Sequence, residues 1–219
     1  MIQLKDYSNY HKVNINNKLL HDGKLIFQQG LKGLESEKVT IDGIEKNVMI
    51  TSKYSSGDGS ARYILGEIAD IYRGGVVKFN DETWLITSHP LSNKIYKKAE
   101  IKICGTSFFL TSEDKLIDTG KINEITGKPI YEKVPGEKTE VPCIFERTTS
   151  IKGTELAVNL PDGQANITIP YLVHEKLKIG LTLTFFGEDY QVDDIDYSKV
   201  YGDHGTIKLV AKKKVGEKT

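Results

Sequence analysis

Cysteine, tryptophan and methionine are scarce in this sequence: two, one and two in 219 residues. Two thiols cannot build a disulfide framework or complete a structural zinc site. Net charge is absent as well, since 30 basic side chains offset 30 acidic ones. That balance excludes a protein that holds nucleic acid by bulk electrostatics, although a local patch stays open. It also removes a long-range repulsion between copies of the chain. No run approaches the roughly 18 apolar residues of a membrane span. No apolar stretch follows Met1-Ile2-Gln3-Leu4-Lys5-Asp6, so no secretion leader is expected, and the chain is read as made in a reducing cytoplasm.

What is present leans towards strands. Eleven tyrosines, seven phenylalanines and 20 glycines accompany many Val, Ile and Thr residues, a composition that suits pleated surfaces joined by tight turns. Four Asp-Gly pairs, Asp22-Gly23, Asp42-Gly43, Asp58-Gly59 and Asp162-Gly163, supply residues that tolerate positive φ, as short hairpins require. Between them, Lys24–Gln28 reads as a strand. Lys38–Ile41 and Asn47–Thr51 flank Asp42-Gly43 as one hairpin, Gly75–Phe79 and Trp84–Thr87 form another, and Ala99–Cys104 alternates with period two. Two short helices are expected. Ile64, Leu65, Ile68 and Ile71 fall on one helical face ahead of Gly74-Gly75, and Pro170–Leu177 opens on a proline suited to a first turn.

The organisation is read as a mainly β chain of two related small barrels or sandwiches with an extended loop or hairpin arm between them. The boundaries are 1–113 for the first domain, 114–142 for the arm or linker, 143–211 for the second domain and 212–219 for a lysine-rich flexible tail. Residues 114–142 hold Asp118-Thr119-Gly120, Thr126-Gly127-Lys128-Pro129 and Pro135-Gly136. A disordered linker is the plainer alternative, and a basic arm that touches a partner is the sharper one for the tail.

The two halves also share a pattern. Gly75 to Ile86 and Gly180 to Val192 each run glycine, apolar strand, turn, Glu-x-aromatic, then an aliphatic residue two further on. The separation from Trp84 to Ile101 equals that from Tyr190 to Ile207, and Asn93–Tyr96 resembles Ser198–Tyr201. We read a three-stranded meander used twice, with Trp84 and Tyr190 as core aromatics.

Chemistry-bearing constellations are thin. His11, His21, His89, His174 and His204 form no ligand-spaced pair, and His89 and His204 lie in predicted loop and turn segments. Cys104 and Cys143 are read as small buried apolar residues. Asp193-Asp194-Ile195-Asp196 lacks the glycine and closing glutamate of a calcium loop. Gly57-Asp58-Gly59-Ser60 lacks the lysine of a phosphate loop. No catalytic, cofactor-binding or metal-binding residue is nominated, and no enzyme is expected.

Three stretches carry a resemblance: Gly75 to Ile86, Asn93 to Cys104, and Asn166 to Val192. Together they resemble structural proteins of tailed phages and prophages of low-GC Gram-positive bacteria. Two departures are plain: no tryptophan follows Cys104, and no arginine follows Gly180. The resemblance implies a virion component assembled in the bacterial host cytoplasm, a head–tail connector of the head-closure or adaptor kind in the neck. Implied partners are further copies in a ring and the portal, adaptor or tail proteins. DNA is met only as it passes through the channel, and no membrane is involved. Arms that reach a neighbour are expected in 114–142, with Ile125, Ile130 and Tyr131 as anchors, and in Asp6–Asn17. The rivals are a capsid-associated or tail-tube component of the same virion, a β-rich cell-wall or host-binding module with exposed aromatics, and a hydrolase built from dispersed His and Asp residues.

Overall fold

A computed structural model describes residues 14–53, 59–122, 129–147 and 163–214. The chain is mainly β and divides into two compact units, Met1–Ile103 and Cys104–Thr219. The strand after Cys104, which precedes the expected boundary at 113, pairs within the second unit.

In the first unit, helix α1 (Ile15–Gly30) precedes β1 (Glu37–Ile41), β2 (Ile44–Ser52), β3 (Ala61–Gly66), β4 (Val76–Phe79), β5 (Glu82–Ile86), the short β6 (Leu91–Ser92) and β7 (Lys97–Ile103). Six of these strands close a barrel in the order β1-β2-β3-β7-β5-β4, and β4 returns to β1 through Thr40↔Lys78 and Ile41↔Val77. Alternation decides what lies inside: Val39 and Ile41, Val77 and Phe79, Trp84 and Ile86, Ala99 and Ile101 all point into one buried cluster. Trp84 is 1% exposed, with the Phe79 ring 5.9 Å away. The Asp42-Gly43 turn has positive φ at both residues, as a two-residue hairpin loop demands.

The second unit holds β8 (Thr106–Thr111), β9 (Lys115–Ile122), β10 (Pro129–Val134), β11 (Lys138–Arg147), β12 (Gln164–Pro170), β13 (Thr182–Phe185), β14 (Glu188–Asp196), β15 (Val200–Tyr201) and β16 (His204–Lys213). Its main sheet runs β8-β11-β12-β16-β14-β13, and β15 is appended to β16. Among the described residues β8 and β13 do not pair. The seam between them is crossed by an edge-on contact of Phe108 and Phe185, with ring centroids 6.1 Å apart. The second barrel is therefore nearly closed, by side-chain packing rather than by a ladder.

Numbered within each barrel, both units have the order 1-2-3-6-5-4. The repeat thus extends from the expected meander to six strands. From Ile71 to Ile86 and from Leu177 to Val192 the correspondence is residue by residue. Both side chains are buried beneath the loop after the third strand. Gly74 and Gly180 have φ of 91° and 90° and donate to the carbonyls of Ile86 and Val192 at 2.8 Å. Phe79 matches Phe185, and Trp84 matches Tyr190 across from Val77 and Leu183. The turns Asn80-Asp81 and Phe186-Gly187 have positive φ throughout.

Two details of the expected repeat change. Gly74, not Gly75, is the equivalent of Gly180. The equal separation to Ile101 and Ile207 is not a structural match either. Ile101 pairs with Ile86, whereas Val192 pairs with Ala211. Sequence spacing counts the connecting loop, which ladder pairing ignores, and β14 carries a bulge after Val192.

Three expected elements are corrected. Lys24–Gln28 is not a strand but the C-terminal part of α1, and Asp22-Gly23 lies inside that helix instead of at a turn. The cue was Asn14, whose side chain accepts the Asn16 N–H at 3.0 Å. Gly23 and Gly30 let the helix lie against the barrel, since a Cβ at either would come within 2.6 Å of Ile95 or Met49, and Phe27 stacks on Tyr96 at 5.1 Å. The apolar face Ile64–Ile71 is not helical: Ile64 belongs to β3, and Ile71 is buried from the following loop. Pro170–Leu177 is not helical either, because Pro170 ends β12 and the rest is a loop that turns at Glu175-Lys176. For Ile64–Ile71, burial contributed by a strand and the loop after it imitated one periodic face.

Candidate subunit interface

The two barrels differ most at one connection. In the first, Ile41 pairs with Ile44 around the two-residue turn Asp42-Gly43. In the second, Thr111 pairs with Lys138, and residues 112–137 lie between them. This insertion is the expected arm, and it is a hairpin: β9 and β10 pair antiparallel, and among the described residues they pair with no other strand. Residues 138–142 belong to β11 and so to the barrel.

The root of the arm is tied down. The Ser112 N–H donates to the Glu137 carbonyl at 2.9 Å, and a Cβ at Gly136 would lie 1.9 Å from the Ser112 carbonyl oxygen, so the two chains cross where only glycine fits. Asp114 accepts the Gly136 N–H at 3.1 Å and pairs with Lys133 at 2.8 Å. Glu175, in the loop after β12, accepts the Glu113 N–H at 2.6 Å, and Lys176 stands 3.7 Å from the Glu113 carboxylate. The first barrel braces its short turn in the same place. Asp42 accepts the Val76 N–H at 2.9 Å and the Tyr72 hydroxyl, and burial together with that bond raises the Tyr72 phenol above its ordinary range.

Beyond the root the arm is solvated on both faces. Leu116 is 67% exposed, Ile117 52%, Tyr131 55% and Val134 38%. Of the expected anchors, Tyr131 is on β10 and exposed. Ile130 is on β10, but its side chain lies outside the described residues, as does Ile125 altogether. Leu116, Ile117 and Val134 were missed, because apolar residues in a charged stretch carry no mark that separates a solvated hairpin from a buried strand. The other expected arm, Asp6–Asn17, lies outside the described residues up to residue 13, and Asn14–Asn17 begins α1.

The side chains considered for chemistry stand in ordinary surroundings. Cys104 is half-buried and Cys143 buried, and burial pushes both thiols up to about 12, so they are protonated at neutral pH. His174 accepts the Lys176 N–H at its Nδ1, 3.1 Å away. Asp193 pairs with Lys212, and Asp196 accepts the Ser198 N–H. Among the described residues no group of three or more His, Cys, Asp or Glu side chains is placed to hold a metal ion, and no helix is long and apolar enough to cross a membrane. Trp84 and Tyr190 are core residues, and the Tyr190 hydroxyl donates to Glu188 at 2.9 Å.

Two family models match the chain, and their matches overlap over residues 77–103. Residues 9–103 match the YomX N-terminal domain and residues 77–212 the YomX C-terminal domain. The chain is 98% identical over 216 residues to the SPbeta prophage-derived protein YomX of Bacillus subtilis (strain 168), covering 99% of this chain and 100% of that one. The chain belongs to the YomX family. A phage origin follows from that identity. The YomX N-terminal match ends at residue 103, where the first unit ends. No solved structure matches this YomX-family chain.

The arm root carries a pH dependence. The hydrogen bond from Lys133, and then that from the Gly136 N–H, hold the Asp114 carboxyl below its ordinary range. A depressed folded-state value contributes stability above the unfolded carboxylate pKa of about 4 and loses it as pH falls through the folded value. Acidification below about pH 4 is therefore expected to lower the protection of the Gly136 amide, relative to its intrinsic exchange rate, before the amides of β12 and β16 respond. In Asp114→Asn that amide exchanges faster at neutral pH and shows no such step.

Proposed function

We propose that this chain is a non-enzymatic virion structural protein, the subunit of a head–tail connector ring in the phage neck. The observation that carries the reading is the arm: a braced hairpin, inserted at a turn that the sister barrel closes with two residues, which leaves four large apolar side chains in water. An isolated two-stranded sheet is marginal in water, and such exposure on a soluble subunit marks a surface that another molecule covers. Two small closed or nearly closed barrels supply a rigid wall. The balanced charge of the chain favours close stacking of subunits. Thiols that burial keeps protonated offer no activated nucleophile, which favours a structural role over a hydrolase. A burial of 99% for the lone tryptophan disfavours a glycan-stacking module.

The partners in this reading are further copies of the chain in the ring, with portal, adaptor or tail proteins above and below, and DNA passing through the channel. Native mass spectrometry of the purified full chain is expected to show one discrete closed oligomer. Labelled antibody on particles is expected at the neck. Label along the tail or over the capsid would replace the connector by the tail-tube or capsid reading. A monomer at every concentration, absent from particles, would end the structural one.

A further inference from the structure

We infer that the arm has two opposed contact faces of complementary chemistry, so that subunits join head to tail, each arm lying between the arms of two neighbouring copies. This rests on the ring reading and names the surface that builds it.

The faces follow from register. Val134 pairs with Lys115, Lys133 with Leu116, Glu132 with Ile117 and Tyr131 with Asp118. Directly paired residues share a face, and successive pairs alternate. One face therefore holds Lys115, Ile117, Glu132 and Val134, and the other holds Leu116, Asp118, Tyr131 and Lys133. Each has two large apolar side chains on one diagonal and one acid with one base on the other. A hairpin lying on its own barrel, or pairing once with a twofold mate, needs a single apolar face. This arm has two.

The pattern also selects the partner face. Sheets stack about 10 Å apart with facing side chains in contact. When a face meets a copy of itself across a twofold axis lying along the strands, Ile117 meets Glu132 and Lys115 meets Val134. With the axis across the strands, Ile117 meets Lys115. The second face fails in the same way, with Leu116 against Lys133 or Asp118. Laid on the opposite face of a copy running in the same direction, Ile117 comes over Leu116 and Glu132 over Lys133. Slid along the strands, Lys115 comes over Asp118 and Val134 over Tyr131. Each register matches apolar with apolar and acid with base along the one row it brings together, whereas the register that lays Lys115 over Leu116 and Ile117 over Asp118 matches neither. Lys133 is bonded to Asp114, yet its side chain stays 69% exposed and open to a second carboxylate. A same-direction, unlike-face contact is heterologous, the type that builds a ring when the rotation between successive copies closes.

Ile117→Lys and Leu116→Lys are neighbours in sequence on opposite faces, so each spoils one face and spares the other. Circular dichroism verifies that both variants fold. In sedimentation velocity, with one variant carrying a fluorescent label, the wild type runs as the closed oligomer and each variant alone as a monomer. An equal mixture forms a 1:1 dimer and nothing larger, because one intact face from each makes a single contact. If the wild type assembles but the mixture stays monomeric, or either variant assembles like wild type, the two-face scheme is overturned while the ring survives on another surface. An arm covered by a different virion protein shows as a monomeric wild type, which overturns the ring and the scheme together.

Discussion

Replacing residues 112–137 by Asp-Gly is expected to leave a folded second barrel that no longer assembles. The exchange is geometrically neutral. Thr111 and Lys138 pair across the ends of the excised segment, as Ile41 and Ile44 pair across Asp42-Gly43, so a two-residue turn of the same kind closes β8 onto β11 without a change of register. The hairpin gives the barrel core nothing, since the buried cluster of the second unit draws on β8, β11, β12, β13, β14 and β16 and on Leu177. Losses are confined to the root: the bond from Glu113 to Glu175, the weak ion pair with Lys176, and the pair of Asp114 and Lys133, which water screens. The thermal midpoint of the second barrel is thus expected to move by only a few degrees, while native mass spectrometry shows the monomer. A truncated protein that still forms the wild-type oligomer would remove the arm from the interface. One that fails to fold would show that the hairpin is part of the barrel.

The second large effect concerns the cores. Each unit has its own buried cluster, so substitutions in one are expected to spare the other. Ile101→Ala deletes a fully buried side chain of the first barrel and is expected to cost about 2–5 kcal/mol; Phe185→Ala does the same in the second at about 3–5 kcal/mol. The lone tryptophan, Trp84, lies in the first core, so its emission reports the first barrel alone. In urea, Ile101→Ala is expected to shift the Trp84 transition to lower denaturant. Phe185→Ala is expected to leave that transition in place while an earlier one appears in the far-ultraviolet circular dichroism. Coincident transitions that move together in both variants would mean that the two barrels unfold as one cooperative body.

These outcomes bear on how far the residues spoke for themselves. The hairpins at Asp42-Gly43 and Asn80-Asp81 were legible because local turn chemistry and alternation agree there, and so was the burial of Trp84 and Tyr190. Lys24–Gln28 misled because its three apolar residues, Leu25, Ile26 and Phe27, show no period that separates helix from strand, and Asp22-Gly23 looked like punctuation. Ile64 and Ile71 misled for the opposite reason: a strand and a loop together buried residues at helical spacing. Tyr131 could be nominated from composition, but Ile117 and Leu116 could not, since only pairing shows that they point in opposite directions.

By itself the sequence determined a chain without net charge, with little sulfur, with a strand-rich pattern used twice and with a charged segment rich in glycine and proline that interrupts the second copy. These are local properties, set by side-chain chemistry and short-range turns. Tertiary structure alone decided that the repeat covers six strands, that one barrel closes by a ladder and the other by two phenylalanine rings, and that the interrupting segment is a hairpin with two unlike faces. Closure and register are settled by contacts between residues far apart in the chain. A shift of one residue reverses every face, and nothing in the local composition records which way it falls.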